Sequence, residues 1–308
     1  MIAARLKNII EEELSPLIDA NYVLLDVPYY SNIGDTLIWE GTRQFLKNKP
    51  YKCLYTASVE TYKFRPLPPE TIILMQGGGN FGDLWRRHQD LRLSVIKSYP
   101  NNKIIILPQS IFYKDANIFK EDARIINSHK NLHICVRDNQ SYELVKNELT
   151  CNMHLVPDMA FCIPNTLLAK HSKRESNRVL FLKRDDVELC KYDYLSYIAD
   201  NKKFVDIHDW PTRERYYKTQ KYLDKLLFHR KRLKRIPDIY AEWIFRPFMV
   251  RKGIEFISRY KKVYTTRLHV AILSILLNKE VVWFDNSYGK NRSLYETWLK
   301  GADKLTFV

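Results

Sequence analysis

Short, wholly apolar runs alternate with helical patterns of ten or more residues, and this alternation constrains the chain more than any other feature. Tyr22–Val27, Thr71–Gln76, Lys103–Leu107, Leu132–Val136 and Met153–Val156 read as strands, with a shorter one at Lys52–Tyr55. Helical patterns separate them: Met1–Leu14 before the first strand, one closing near Asn48, Leu84–Tyr99, Ala116–Ser128, and one running through Asn147. Strands spaced by helices of this length imply βαβ units and a mostly parallel sheet. The runs IILM at 72–75 and IIIL at 104–107 suit strands covered on both faces. In such sheets ligands sit beyond the carboxyl ends of the strands. The loops 29–36, 77–83, 108–110, 137–138 and 157–158 all fall there.

The alternation resumes after a polar stretch, Asn165–Asn177, that reads as a linker. Strands are expected at Arg178–Leu182, Phe204–Ile207, Lys262–Thr265, Glu280–Phe284 and Lys304–Val308. Helices are expected at Tyr192–Ala199, along a basic stretch Thr212–Arg235, after breaks at Pro237 and Pro247 up to Tyr260, from His269 to Leu277, and over Ser293–Lys300. The expected class is α/β, with two Rossmann-like parallel-sheet domains, 1–165 and 166–308, facing a cleft.

Composition removes several alternatives. With 45% hydrophobic and 28% charged residues, the chain is an ordinary globular one rather than disordered. No run approaches the 18–20 apolar residues of a transmembrane helix. The opening MIAARLKNIIEEEL lacks the apolar core of a signal peptide. Five cysteines form no CxxC pair, so neither a zinc site nor a disulfide framework is expected, and a reducing cytoplasm fits best.

Glycine is scarce, nine in 308, yet five of the nine fall in two loops: Gly34, then Gly77, Gly78, Gly79 and Gly82. Such concentration suggests close backbone approach or positive φ. In Ser31-Asn32-Ile33-Gly34-Asp35, glycine opens the backbone to a ligand at a helix N-terminus. Asp35 is either a base or hydroxyl ligand there, or simply the helix cap. Gln76-Gly-Gly-Gly-Asn80-Phe81-Gly82-Asp83 reads as a ligand loop. It is not a Walker loop, because the Gly-Lys-Ser/Thr ending is missing, nor a dinucleotide fingerprint, because no acidic residue follows at a second strand end. Thr265-Thr266-Arg267-Leu268-His269 places a hydroxyl cap, an Arg and a His at a helix start, which is an anion site; the alternative is an Arg paired with a nearby carboxylate. Lys290, in the loop after the next strand, would complete a cationic pocket or lie exposed. No metal-ligand cluster is visible.

Taken in order, Asn32-Ile-Gly-Asp35, Gly77-Gly-Gly-Asn-Phe-Gly-Asp83, Pro108-Gln-Ser110, Arg137-Asp138 with Ser141, Pro157-Asp158 and Thr266-Arg267-Leu-His269 form a set that resembles the polysaccharide pyruvyl transferase family. The resemblance implies a fold like two-domain GT-B glycosyltransferases. It also implies transfer of a pyruvyl group from phosphoenolpyruvate, a co-substrate rather than a cofactor, to a sugar as a ketal. In that frame Arg267, Lys290 and Thr266 would bind the donor, and His269 would be the acid or a donor to the leaving phosphate. Asp35 and Asp83 would orient or deprotonate sugar hydroxyls. Asn32, Gly34, Gly78, Gly79, Asn80, Gln109 and Ser110 would line the acceptor side. A GT-B glycosyltransferase using a nucleotide sugar is the alternative, and a non-catalytic basic binding module is a third reading.

The net charge of +15 is concentrated. Residues 211–252 carry 13 Lys+Arg against four Asp+Glu, so they hold +9 of it. Tyr216, Tyr217, Tyr222, Phe228, Trp243, Phe245 and Phe248 are interleaved. Basic residues with aromatic anchors suit an anionic lipid surface better than nucleic acid, the remaining alternative being a solvated helix face. The expected location is therefore the inner face of the cytoplasmic membrane, with a lipid-linked sugar as acceptor.

Overall fold

The computed structural model describes residues 2–182, 205–211, 222, 226, 236–286 and 289–308. The expected strands at both ends of the alternation are present, and all of them pair in parallel. The first sheet contains β1 (Tyr22–Leu25), β2 (Cys53–Ala57), β3 (Ile72–Met75), β4 (Gly78–Gly82), β5 (Ile104–Phe112), β6 (Leu132–Val136) and β7 (Asn152–Leu155). Their order is β2-β1-β3-β5-β6-β7, with β4 paired to the far half of β5. The second sheet contains β8 (Val179–Leu182), β9 (Val205–His208), β10 (Lys262–Thr265), β11 (Glu280–Trp283) and β12 (Leu305–Phe307), in the order β12-β11-β10-β8-β9. The class is α/β with two parallel sheets. The strands β1 and β3 are buried throughout and, apart from the Tyr22 hydroxyl, carry no polar side chain, as coverage on both faces requires.

The two sheets share a core. One cluster of buried side chains runs from Leu6 and Ile10 through Trp39 and Phe45 to Met249, Leu273 and Trp283. Helix Ile33–Lys47 packs against Met159–Cys162, Arg246–Ser258 and Leu268–Leu276, joining the halves through their helices. A second cluster covers the other face of the first sheet, from Val23 and Ile73 to Ile104 and Ile134.

Three expectations need correcting. The stretch Pro108-Gln-Ser110 is not a loop beyond its strand but lies inside β5, which continues to Phe112. Pro108 has no N–H for the ladder, and the register with β6 shifts between Ile106 and Gln109 to bypass it. The supposed linker starts with a helix, Asn165–His171. Pro237 and Pro247 do not break their helix. Pro237 sits at its start, and Pro247 is the second residue of the α-helix Arg246–Ser258, which follows a π-helical turn, Ala241–Phe245. A widened turn is a known way to absorb a residue that cannot continue the regular ladder. The expected helix Tyr192–Ala199, the expected helix Thr212–Arg235 apart from residues 222 and 226, and the turn Lys183-Arg184-Asp185 lie outside the described residues.

Candidate functional site

The carboxyl ends of both sheets converge on one cavity of about 370 Å³. The exit of β1 contributes Asp26 to Asp35, and that of β3 contributes Gln76 to Asn80. Arg137 follows β6, Trp210 follows β9, Arg267 to His269 follow β10, and Lys290 follows β11. This is where a parallel sheet offers loops and open strand ends to a ligand.

At the start of helix Ile33–Lys47, two neighbouring residues divide the work. Asn32 is the cap: its Oδ1 accepts from the Gly34 and Asp35 backbone N–H groups at 2.9 and 3.4 Å. Asp35 is thereby released from capping and lines the cavity. Its Oδ2 accepts from the Tyr30 hydroxyl at 3.0 Å and from Asn32 Nδ2 at 2.8 Å. Gly34 lines the cavity, and its missing side chain also makes room for His269. A methyl group on Gly34 would stand 2.7 Å from His269 Nδ1.

His269 lies against a buried ion pair. Arg137 Nη1 donates to Asp158 Oδ2 at 2.5 Å, and both side chains are almost wholly enclosed. His269 Nε2 is 3.4 Å from the same Asp158 oxygen and 3.5 Å from Arg137 Nη1. Burial would raise the Asp158 carboxyl, but Arg137 and His269 outweigh it and hold it well below the usual carboxylate range. Asp158 is therefore a fixed negative charge that orients both partners. Arg137 Nε also donates to Ser110 Oγ, which donates to Asp138 Oδ2 at 2.6 Å.

Gly78 and Gly79 approach a carboxylate and two cations of the cavity. A methyl on Gly78 would come to 4.0 Å from Asp35 Oδ1; one on Gly79 would meet Arg137 Nη2 at 3.2 Å and Lys290 Nζ at 3.5 Å. Side chains here would fill the space between cations and carboxylates. Arg267, the cap residue of helix Leu268–Leu276, is held by Asp209, with Nε and Nη2 each donating at 2.7 Å to a different carboxylate oxygen. The carboxylate partner weighed for Arg267 in the sequence therefore exists, while the side chain still lines the cavity.

Several expected residues stand elsewhere. Asp83 is turned away from the cavity, where its Oδ2 accepts from the backbone N–H groups of Lys114 and Asp115 at 2.7 and 2.8 Å. Thr266 is buried, does not line the cavity, and its carbonyl accepts from Asn291 Nδ2. The hydroxyl that closes this turn is that of Thr265, which accepts from the Arg267 N–H. Gln109 is buried beneath the loop, donating to the Gln76 carbonyl and to Asn80 Oδ1. Ser110 stands behind Arg137. Asn80 remains at the cavity wall, accepting from Arg92.

Asp26 and His88, which no motif announced, also line the cavity. His88 Nδ1 is 2.6 Å from Asp26 Oδ1, and Arg92 Nη2 reaches the other oxygen at 3.4 Å. Burial disfavours the charged imidazole, but the Asp26 carboxylate prevails and raises His88 above the ordinary histidine value. Asp26 holds φ at 62°, a costly backbone conformation for a non-glycine residue. It ends the run read as a strand, and nothing in its neighbours signals that turn. Trp85 and Trp210 add aromatic faces.

Comparisons with known proteins can now be set beside this geometry. Residues 32–288 match the family model described as polysaccharide pyruvyl transferase. The chain is similar to the "Putative pyruvyl transferase EpsO" of Bacillus subtilis (strain 168), with 34% identity over 311 residues, 97% of this chain and 93% of that protein. It is also similar to "Pyruvyl transferase 1" of Schizosaccharomyces pombe (strain 972), with 26% identity over 292 residues, 91% of this chain and 70% of that protein. Among solved structures, a functionally uncharacterized protein of Klebsiella pneumoniae superposes with a TM-score of 0.66 at 22% identity, covering 98% of both chains. That likeness shows the fold.

Proposed function

Because the chain belongs to the polysaccharide pyruvyl transferase family, we propose that it transfers the pyruvyl group of phosphoenolpyruvate to a sugar of a lipid-linked or polysaccharide precursor, closing a pyruvate ketal. The observation that carries this reading is the polarity of the cavity. Arg137, Arg267, Lys290 and His269 line it together with Asp26, Asp35 and His88. Phosphoenolpyruvate brings a phosphate and a carboxylate, which need cations; a sugar brings hydroxyls, which need acceptors and a base. The cavity volume falls in the range of small-molecule sites, roughly 300–1,000 Å³.

The reaction adds a proton to the methylene carbon of phosphoenolpyruvate and forms a bond from one sugar hydroxyl oxygen to the adjacent carbon. Phosphate then leaves with the electron pair of its C–O bond. A second hydroxyl attacks the resulting cation and closes the ring. Of the two hydroxyl protons, one balances the new methyl group and the other the released phosphate. Arg267, fixed by Asp209, and Lys290 would hold the two anionic groups. His269, aligned by Asp158 and Arg137, would deliver the proton or bind the departing phosphate. Asp35 would orient one hydroxyl. His88, backed by Asp26, would take the proton of the attacking hydroxyl in its neutral form.

Phosphate release with phosphoenolpyruvate and a sugar acceptor tests these roles. His269→Ala should lower kcat by about 10²–10⁴-fold, the usual worth of a positioned proton donor. Arg267→Ala should chiefly raise the KM for phosphoenolpyruvate. Turnover at the parental rate in both variants would contradict the assignment.

A further inference from the structure

Helix Ile236–Ser258, which overlaps the end of the basic segment, has an outward face of exposed apolar side chains. From Ile236 to Ser258 it buries Phe245, Met249, Val250, Ile254 and Ile257 in the shared core. Its opposite face is apolar for three turns: Ile236 is 53% exposed, Ile239 58%, Trp243 72% and Ile244 57%. A surface helix ordinarily turns such residues inward, and a contiguous patch of them marks a place where something docks.

The charges around this face are one-sided. All three carboxylates of the helix are engaged, Glu255 by Arg251 and Lys173 at 2.7 and 3.3 Å. Asp238 accepts from the hydroxyls of Tyr29 and Thr61 at 3.0 and 2.8 Å, and Glu242 pairs with Arg43 and Arg246 at 2.9 Å. Arg246 is itself buried between Glu242 and Glu40, so it belongs to the fold and not to the basic surface. Further along the helix stand Arg251, paired with Glu255, and Lys252, over the Phe248 ring. In the sequence, Arg230, Lys231, Arg232, Lys234 and Arg235 immediately precede the helix. An apolar ridge next to a run of five cations, with its own carboxylates held by the fold, is complementary to an anionic, apolar-centred surface, which is a bilayer. Among the described residues no helix is long and apolar enough to cross one.

The helix is also tied to the segment that lines the cavity: Asp238 accepts from the hydroxyl of Tyr29, whose chain neighbours Pro28 and Tyr30 line it. We infer that the outward face of this helix docks on an anionic lipid bilayer, with Trp243, Ile239 and Ile244 inserted at the headgroup boundary. Docking there would hold the segment that lines the cavity near the membrane surface, within reach of a lipid-linked acceptor. That last consequence rests on the function proposed above; the docking itself does not.

The experiment is flotation of the full chain with vesicles of phosphatidylglycerol and phosphatidylcholine, against phosphatidylcholine alone, in the absence of donor and acceptor. Binding is expected to the anionic vesicles, to weaken with added salt, and to fall about tenfold or more in Trp243→Ser and in an Ile239→Ser/Ile244→Ser double variant. The variants should keep the parental circular dichroism and the parental turnover on a water-soluble acceptor, so that loss of docking is separated from loss of fold or of chemistry. Failure of the parent chain to float, or flotation unchanged in both variants, would overturn the inference. So would a self-association of the parent that the variants abolish without any vesicle binding, because a second copy would then be the occupant of this face. A chain that floats but does not consume phosphoenolpyruvate would leave docking intact and refute the chemistry instead.

Discussion

Gly34 and His269 are 235 positions apart, yet the imidazole occupies the space that a side chain on Gly34 would need. The ring is fixed by that contact in front and by Asp158 and Arg137 behind. Gly34→Ala should therefore displace the ring while leaving the helix intact, since only a side chain must yield. The expected result is a kcat lower by about 10–100-fold, the effect of a misplacement near 1 Å, with unfolding stability changed by no more than about 1 kcal/mol. Steady-state kinetics and denaturant unfolding on the same sample check it. The Asp26–His88 pair makes a pH prediction. A base must be neutral, and Asp26 raises the value at which His88 loses its proton. The acid limb of kcat/KM should thus rise through a midpoint above the ordinary histidine value of about 6.5. In Asp26→Asn that midpoint should move down toward about 6.5 or below, while the rate on the alkaline plateau falls; an unmoved limb would remove His88 from the role of base.

At the scale of elements, the site depends on how closely helix Ile33–Lys47 approaches the segment after β7. A methyl on Gly41 would overlap the Met159 carbonyl oxygen, at 1.8 Å. Backbone cannot swing aside as a side chain can, so Gly41→Ala should lower stability by about 1–3 kcal/mol or more, read as a shifted midpoint in urea at unchanged slope. The contrast with Gly34→Ala is a test of kind: one glycine admits a ring, the other a main chain. The strands were legible because their apolar runs are short and flanked by glycine, proline and asparagine. Helix Ile236–Ser258 was not, since two prolines suggested a break that the π turn absorbs. The extension of β5 through Pro108 was equally hidden, because it depends on β4 as a pairing partner, and Gly78–Gly82 carries no strand signal of its own.

Across the whole molecule, the ordered loops at strand ends did locate the cavity: Asp35, Gly78, Gly79, Asn80, Arg267, His269 and Lys290 all reach it. What the sequence concealed is pairing over distance. His88 meets Asp26 across 62 residues, Arg267 meets Asp209 across 58, and His269 meets Asp158 across 111. Such pairs exist only once sheet order has been set, and no local spacing encodes them. Asp83 misled for the opposite reason, because a loop aspartate next to glycine looks the same whether it faces a ligand or closes a neighbouring turn. The central claim concerns what the cavity's cationic residues hold. The most direct measurement is mass analysis of a sugar acceptor after incubation with phosphoenolpyruvate on one hand and with a panel of nucleotide sugars on the other. The expected result is a mass gain of pyruvic acid less one water, with one phosphate released per ketal, from phosphoenolpyruvate alone. A hexose added from a nucleotide sugar, or no change with phosphoenolpyruvate, would contradict it.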